Sequence, residues 1–417
     1  MPVIPEARRK TGGWEVTMNK PILEVADVFR IGFADYNSAF GPLQPDHYKA
    51  ADAIMACRTS LLGGHIDRCD HCNHERISYN SCRNRHCPKC QALLRAQWVE
   101  HRIGDLLPVH YFHVVFTIPG QLNAFALRNK KAFYSIFFQA VSETLQAFAH
   151  DEKYLGGEIA FFAVLHTWGQ NLMDHPHVHC VIPGGALMGN GKWKHCPKNF
   201  LFPIKPLSAL FKGKLLDYLK KAIETGDIEL CGNLQQYKNK PVLQALIDTL
   251  YKTQWVVYVK PPFAGPKAVV KYLGRYTHRI AISNSRLASM DDKGVAFKWK
   301  DYSDDNRQKI MPLTIVEFIR RFMLHVIPTG FVRIRHYGFL SNRSRKIKLN
   351  ECRNALGITT TEHENNNEKQ SRHWYDLVLQ LTGIDPTICP VCKMGHMKMH
   401  KEIPATSPPL MAAKAAA

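Results

Sequence analysis

Two Cys-x-x-Cys pairs set close together constrain this chain before any hydrophobic pattern is read: Cys69 with Cys72 and Cys87 with Cys90, within CDHCNHERISYNSCRNRHCPKC. Pairs at that spacing form two knuckles able to converge on one tetrahedral ion, and four thiolates suit zinc best. The segment between them, ERISYNS, alternates like one strand of a hairpin, which would carry the second knuckle back to the first. The sequence therefore predicts a structural zinc held by Cys69, Cys72, Cys87 and Cys90. Six of the 12 cysteines fall between Cys57 and Cys90. Cys57, Cys82, His65, His71, His74 and His86 are surplus candidates for a ligand exchange or a second ion.

Metal rather than disulfide is the reading for a reducing compartment. The start, MPVIPEARRKTGGWEV, has neither the apolar core nor the cleavage site of a secretory signal. No apolar run reaches the roughly 18 to 20 residues of a membrane helix, so the expectation is a cytosolic protein. Lys plus Arg outnumber Asp plus Glu by 55 to 35, a formal charge of +20 that points to a polyanionic partner, nucleic acid foremost. At 417 residues and 45% hydrophobic content the chain is large enough for two or three domains.

From about residue 106 strands and helices alternate. VHYFHVVFTI reads as a strand closed by Pro-Gly. Residues 129–149 carry Phe133, Ile136, Phe137, Ala140, Val141, Leu145 and Phe148 at helical spacing, a core-facing stripe. IAFFAVLHTW and HVHCVIP are the next two strands, joined around GQNLMDHP. Within HPHVHC, His175, His177 and His179 alternate, the period that returns side chains to one face of a strand. Pro176 offers no amide proton to a ladder, so His175 is expected at the strand's edge or just outside it, leaving His177 and His179 as the pair. LSALFKGKLLDYLKKAIETG predicts a basic amphipathic helix ending at Gly226, and WVVYVK another strand. In GPKAVVKYLGRYTHRIAISNSRL a helix is predicted, with Tyr272 and Tyr276 four residues apart on one face.

A His-hydrophobe-His strand followed by a helix bearing Tyr-x-x-x-Tyr resembles the HUH endonucleases with two tyrosines. CRTSLLGGHIDRCDHCNHERISYNSCRNRHCPKCQ, LHTWGQNLMDHPHVHCVIPGG, KYLGRYTHRIAISNSRL and RIRHYGFLSNRSR, in that order, resemble the transposases of the insertion-sequence-91 type over about residues 20–350. The resemblance implies an α+β fold: an HUH endonuclease domain with a central antiparallel sheet flanked by helices, plus an N-terminal zinc-binding domain. It implies rolling-circle transposition, with single-stranded element ends and target DNA as partners, in the bacterial cytoplasm and at the nucleoid when bound to DNA. Structural zinc and a catalytic Mg²⁺ or Mn²⁺ are the implied cofactors. His177 and His179 would hold the catalytic ion with a third ligand from Gln170, Asp174 or His166, Gln170 being favoured. Tyr272 or Tyr276 would attack the phosphodiester and form a 5′-phosphotyrosyl bond.

The expected division is a flexible start (1–20), a zinc-binding domain (21–105), the nickase domain (106–350, with a helical insertion at 190–253), a linker (351–372), a small C-terminal module (373–403) and a disordered tail (404–417). In that module Cys389 and Cys392, with His396 and His400, are candidates for a second zinc site. Candidate DNA contacts are Arg83 and Arg85 beside the second knuckle, Lys271, Arg275 and Arg279 on the tyrosine segment, and Arg333, Arg335, Arg343 and Arg345 among the aromatics of RIRHYGFLSNRSRKIK. Rejoining by phosphodiester exchange needs no ATP, and no Walker-type glycine loop is present in the sequence. A histidine-triad hydrolase would need all three alternating histidines, a pattern Pro176 interrupts. A replication initiator or relaxase would share the HUH chemistry, and a non-catalytic zinc DNA-binding protein would leave the histidine and tyrosine pairs unused.

Overall fold

The computed structural model describes residues 23–260, Gly274, 281–358 and 374–406. Helix α1 (Val25–Phe40) starts at a reciprocal capping box between Glu24 and Asp27. Helix α2 (Pro45–Ala56) starts with proline in its first turn, where a missing N–H costs nothing. Strands β1 (Gly64–Cys69) and β2 (Glu75–Tyr79) then form the hairpin expected from the alternation of ERISY, pairing Gly64 with Tyr79 and Arg68 with Glu75. The other edge of β1 is occupied from the far end of the chain. Strand β13 (Met397–Ile403) runs antiparallel to β1, with Cys69 opposite Met397 and Gly64 opposite Ile403. The expected C-terminal module therefore contributes the third strand of the N-terminal sheet. Beyond β13 the chain stays against the turn that precedes β1, for the Thr406 hydroxyl donates to the Ser60 carbonyl at 3.1 Å.

Helix α3 (Gln91–Gly104) leads into the central sheet. Its strands are β3 (Tyr111–Thr117), β4 (Phe161–Trp168), β5 (Asp174–Pro183), β8 (Val257–Lys260) and β12 (Ile334–Tyr337), in the order β12-β4-β5-β3-β8 with every neighbouring pair antiparallel. Alternation sorts the two faces. Phe112, Val114, Phe116, Leu165, Val178, Cys180 and Ile182 face a core closed by α4 (Asn123–Arg128), α5 (Lys130–His150), α6 (Ile204–Glu224) and α7 (Lys240–Lys252). The stripe of α5 supplies Phe133, Phe137, Val141 and Leu145 to it, each fully buried and worth about 1.5–3 kcal/mol over an exposed position. A short hairpin, β6 (Gly185–Leu187) with β7 (Trp193–His195), follows β5.

On the opposite face, Phe162, Val164 and Val181 are covered by Phe339, Leu340 and by Leu349 and Cys352 of α9 (Arg345–Ala355), with Trp98 of α3 edge-on to Phe162. Helix α9 runs four residues past the expected start of the linker, and α10 (Trp374–Thr382) follows the undescribed 359–373. A third sheet, β9 (Leu287–Asp291), β10 (Gly294–Asp301) and β11 (Arg307–Leu313), packs with α1 and α8 (Ile315–Leu324) around Phe29, Phe297, Phe318 and Phe322. Thr314 caps α8, its hydroxyl accepting from the Glu317 amide. No helix among the described residues is long and apolar enough to cross a membrane.

Candidate functional site

The second face of the central sheet carries a concentration of imidazoles. His177 and His179 share a face of β5 by alternation, and His166 of β4 lies directly opposite His177, so all three point the same way. Their ring centroids are 4.6–5.3 Å apart, and one nitrogen from each falls within a sphere fit for a metal ion. A main-chain partner fixes the tautomer of His177, and a side-chain partner engages one nitrogen of His179. The His177 Nδ1–H donates to the His175 carbonyl at 2.7 Å, which leaves Nε2 as the ligating lone pair. His179 Nδ1 lies 2.8 Å from Nε2 of His113, a β3 residue on the same face, which leaves Nε2 as the nitrogen of His179 not engaged by that contact. Burial depresses His177 to about 4 and His179 well below the usual imidazole range, so both are neutral donors at neutral pH. Three convergent imidazoles fit a divalent cation of borderline softness.

Gln170, the favoured third ligand from sequence, is not drawn into this group: its side-chain amide donates to the Tyr302 hydroxyl at 3.1 Å. His166 occupies the third corner. Asp174 also lies apart, its carboxyl buried and raised to about 7 by desolvation, an effect Lys130 partly opposes. His175 falls inside β5, and it is the carbonyl, not the ring, that serves the site. Sequence reasoning does not single out His113 in VHYFHVVFTI, although it precedes Val115, the residue opposite His179, by one strand repeat.

Tyr272, Tyr276, Lys271, Arg275 and Arg279 lie outside the described residues. Gly274, between the two tyrosines, is helical and buried against α3, where an added Cβ would collide with Val99 Cγ2. Trp98, one residue before Val99 on α3, packs on Phe162 of the second sheet face.

The cysteines divide differently from the sequence expectation. Cys69, Cys72, Cys87 and Cys90 do not converge. Cys87 and Cys90 join Cys57 and Cys82, while Cys69 and Cys72 face Cys389 and Cys392. The hairpin explains this, because β2 leads away from the first knuckle and β13 brings the second partner pair from the C-terminal side. In the first cluster Cys90 Sγ lies 3.5 Å from Cys57 Sγ and 3.6 Å from Cys82 Sγ. Tetrahedral Zn–S bonds of about 2.3 Å place sulfurs roughly 3.8 Å apart. Cys90 is held well below the usual thiol range by Cys57, Cys82 and Cys87, whereas the same crowding raises Cys87. Four thiolates this close need a cation to coexist. His86 is no ligand here, since its Nε2 accepts from the Ile327 amide at 3.4 Å.

Several of the expected DNA-contacting arginines turn inward. The Arg85 guanidinium donates to the carbonyls of Phe331, Pro328 and Ile327 at 2.6, 2.5 and 3.3 Å. Arg333 is only 8% exposed, and burial lowers it to about 10. Arg335 lies over the rings of Phe138 and Phe331, and Arg345 is 3.7 Å from Asp105. Arg83 and Arg343 are exposed.

Residues 28–118 match the family model described as "Transposase zinc-binding domain", and residues 160–348 match the one described as "Putative transposase". Over 376 residues the chain is 48% identical to "Putative transposase y4qJ" of Sinorhizobium fredii (strain NBRC 101917 / NGR234), spanning 90% of this chain and 94% of that protein. It is 27% identical over 365 residues to "Transposase for insertion sequence element IS801" of Pseudomonas savastanoi pv. phaseolicola, spanning 84% of this chain and 83% of the relative. No solved structure matches.

Proposed function

The chain belongs to the transposases of the insertion-sequence-91 type, with an N-terminal zinc-binding domain, and from that premise we propose that it nicks and rejoins single-stranded DNA at element ends through 5′-phosphotyrosyl intermediates. The observation that carries this reading is the three-imidazole group of His166, His177 and His179 on one face of the central sheet.

Each residue has a task. His166, His177 and His179 would hold a divalent cation, Mn²⁺ or Mg²⁺, whose charge would offset negative charge on the scissile phosphate. Nitrogen donors favour Mn²⁺ of the two, because Mg²⁺ prefers hard oxygen ligands. The His175 carbonyl keeps His177 in the tautomer that would ligate through Nε2, and His113 braces His179 through Nδ1. The hydroxyl oxygen of Tyr272 or Tyr276 forms the new bond to phosphorus as the bond to the 3′ oxygen breaks, the tyrosine losing its proton and the 3′ oxygen gaining one. The phosphodiester energy is conserved in the tyrosyl ester, so a 3′-hydroxyl rejoins the strand by the reverse exchange without ATP. A second tyrosine permits a second strand transfer before the first ester is resolved.

The test is incubation of the protein with end-labelled single strands of the element termini and Mn²⁺, followed by denaturing electrophoresis. A covalent protein–DNA adduct is expected, lost in the Tyr272→Phe/Tyr276→Phe double variant. An adduct that persists in the double variant transfers the role to another hydroxyl, of which Tyr258, exposed and on the histidine face opposite Val115, is the first to try.

A further inference from the structure

We infer that Cys69, Cys72, Cys389 and Cys392 form a second, discontinuous zinc site, in which the C-terminal segment is clasped to the N-terminal domain by metal. Neither family match reaches Cys389, since they end at residues 118 and 348. The two halves of the site are 317 residues apart in sequence between Cys72 and Cys389, yet Cys72 Sγ lies 3.7 Å from Cys389 Sγ and Cys69 Sγ 3.7 Å from Cys392 Sγ. That spacing matches the roughly 3.8 Å edge of a tetrahedral zinc–thiolate set and far exceeds a disulfide's about 2.05 Å.

The two Cys-x-x-Cys loops are built alike. The Cys72 amide donates to Cys69 Sγ at 3.5 Å, and the His71 amide at 3.4 Å. In the partner loop the Gly395 amide donates to Cys392 Sγ at 3.4 Å. Amide donors of this kind stabilise sulfur as thiolate, the form that binds metal. The residue after the second cysteine of each loop takes the left-handed conformation, Asn73 at φ 60° and Lys393 at φ 61°, which turns the chain tightly around the sulfurs. The loops are also bonded across to each other. The Asp70 amide donates to the His396 carbonyl at 3.1 Å, and Asp70 Oδ1 accepts from the His396 amide at 2.7 Å. Gly395 is required where they meet, for a Cβ there would stand 2.5 Å from Cys69 Sγ. Strand β13 continues the same junction by pairing with β1. His396 and His400, considered with these cysteines from sequence, are not part of the cluster.

Thiol footprinting of the full-length holoprotein, with zinc counted by elemental mass spectrometry, tests the site. Cys72 is exposed, as is the isolated Cys231, so only metal ligation protects Cys72 from iodoacetamide. The expected result is two zinc ions per chain, rapid labelling of Cys231, and labelling of Cys72 only after chelation. The Cys389→Ser/Cys392→Ser double variant should retain one zinc and label at Cys72 without chelator. Cys72 labelling as fast as Cys231 in the untreated holoprotein overturns the site, as does a single zinc in the wild type or two in the variant. Recovery of Cys69–Cys392 or Cys72–Cys389 as disulfides from zinc-poor folded protein also overturns it. The footprint of the wild-type chain decides the matter even where the variant fails to fold.

Discussion

Which nitrogen of an imidazole carries the proton decides whether a histidine can be a ligand, and for His177 the His175 carbonyl makes that choice. In the proposed metal site His166 has the corner that sequence reasoning gave to Gln170, and the two are separable by experiment. His166→Ala should lower Mn²⁺ affinity at least tenfold and remove most covalent adduct, whereas Gln170→Ala, which loses only its bond to Tyr302, should leave both within about twofold. Equal losses in the two variants would return Gln170 to the site. A second residue-scale test concerns Asp174. Neither of its buried carboxylate oxygens has a hydrogen-bond partner among the described residues, and burial raises the group from 3.8 to about 7 despite the opposing charge of Lys130. Across that pH window the folded chain keeps a proton that the unfolded chain has released, so stability falls as pH rises, by at most about 1.4 kcal/mol per pH unit. Asp174→Asn should flatten this slope in urea unfolding between pH 4 and 7 and gain stability relative to the wild type at pH 8. An unchanged slope would sink the assignment.

At the scale of elements, Arg85 acts as a staple: its guanidinium fastens the second N-terminal knuckle to three carbonyls of the turn that follows α8, with the His86 ring accepting from the same turn. Arg85→Ala strands buried carbonyls and should cost about 2–3 kcal/mol in thermal or chemical unfolding, while leaving the salt dependence of DNA binding unchanged. A variant of wild-type stability that binds DNA with a weaker salt dependence would restore the DNA role. Gly395→Ala should weaken zinc retention at the clasp by forcing the two knuckles apart, read as faster labelling of Cys72. Elements were legible from sequence wherever one face is buried: the alternation of β3, β4 and β5 and the stripe of α5 appear as expected. Cysteine pairing was not legible, because Cys-x-x-Cys spacing defines a knuckle but not which knuckle it meets. That choice is made by β13 crossing to the edge of β1, a contact that no local pattern announces. The arginines misled for a similar reason, since a basic run looks the same whether its guanidinium groups reach phosphate or the protein's own carbonyls.

For the whole molecule, the formal charge of +20 overstates what DNA meets, because Arg85 and Arg333 are turned inward and Arg345 stands near Asp105. Exposed Arg83 beside the first cysteine cluster and exposed Arg343 at the start of α9 remain available for phosphates. Each phosphate that a basic side chain neutralises on a single strand releases about 0.7 counterions, so every such pairing is a measurable increment in the slope of log affinity against log salt. Arg343→Ala should weaken binding evenly across sequences and flatten that slope by about 0.7, with unfolding stability unchanged. Arg333→Ala should do the reverse, lowering stability by opening a polar void behind β12 while the slope of the folded fraction stays that of the wild type. Fluorescence anisotropy on a labelled oligonucleotide at several salt concentrations, paired with urea unfolding of each variant, separates the two. If Arg333→Ala flattens the slope and Arg343→Ala does not, the DNA path runs along β12, and the inward face of that strand must open before DNA is engaged.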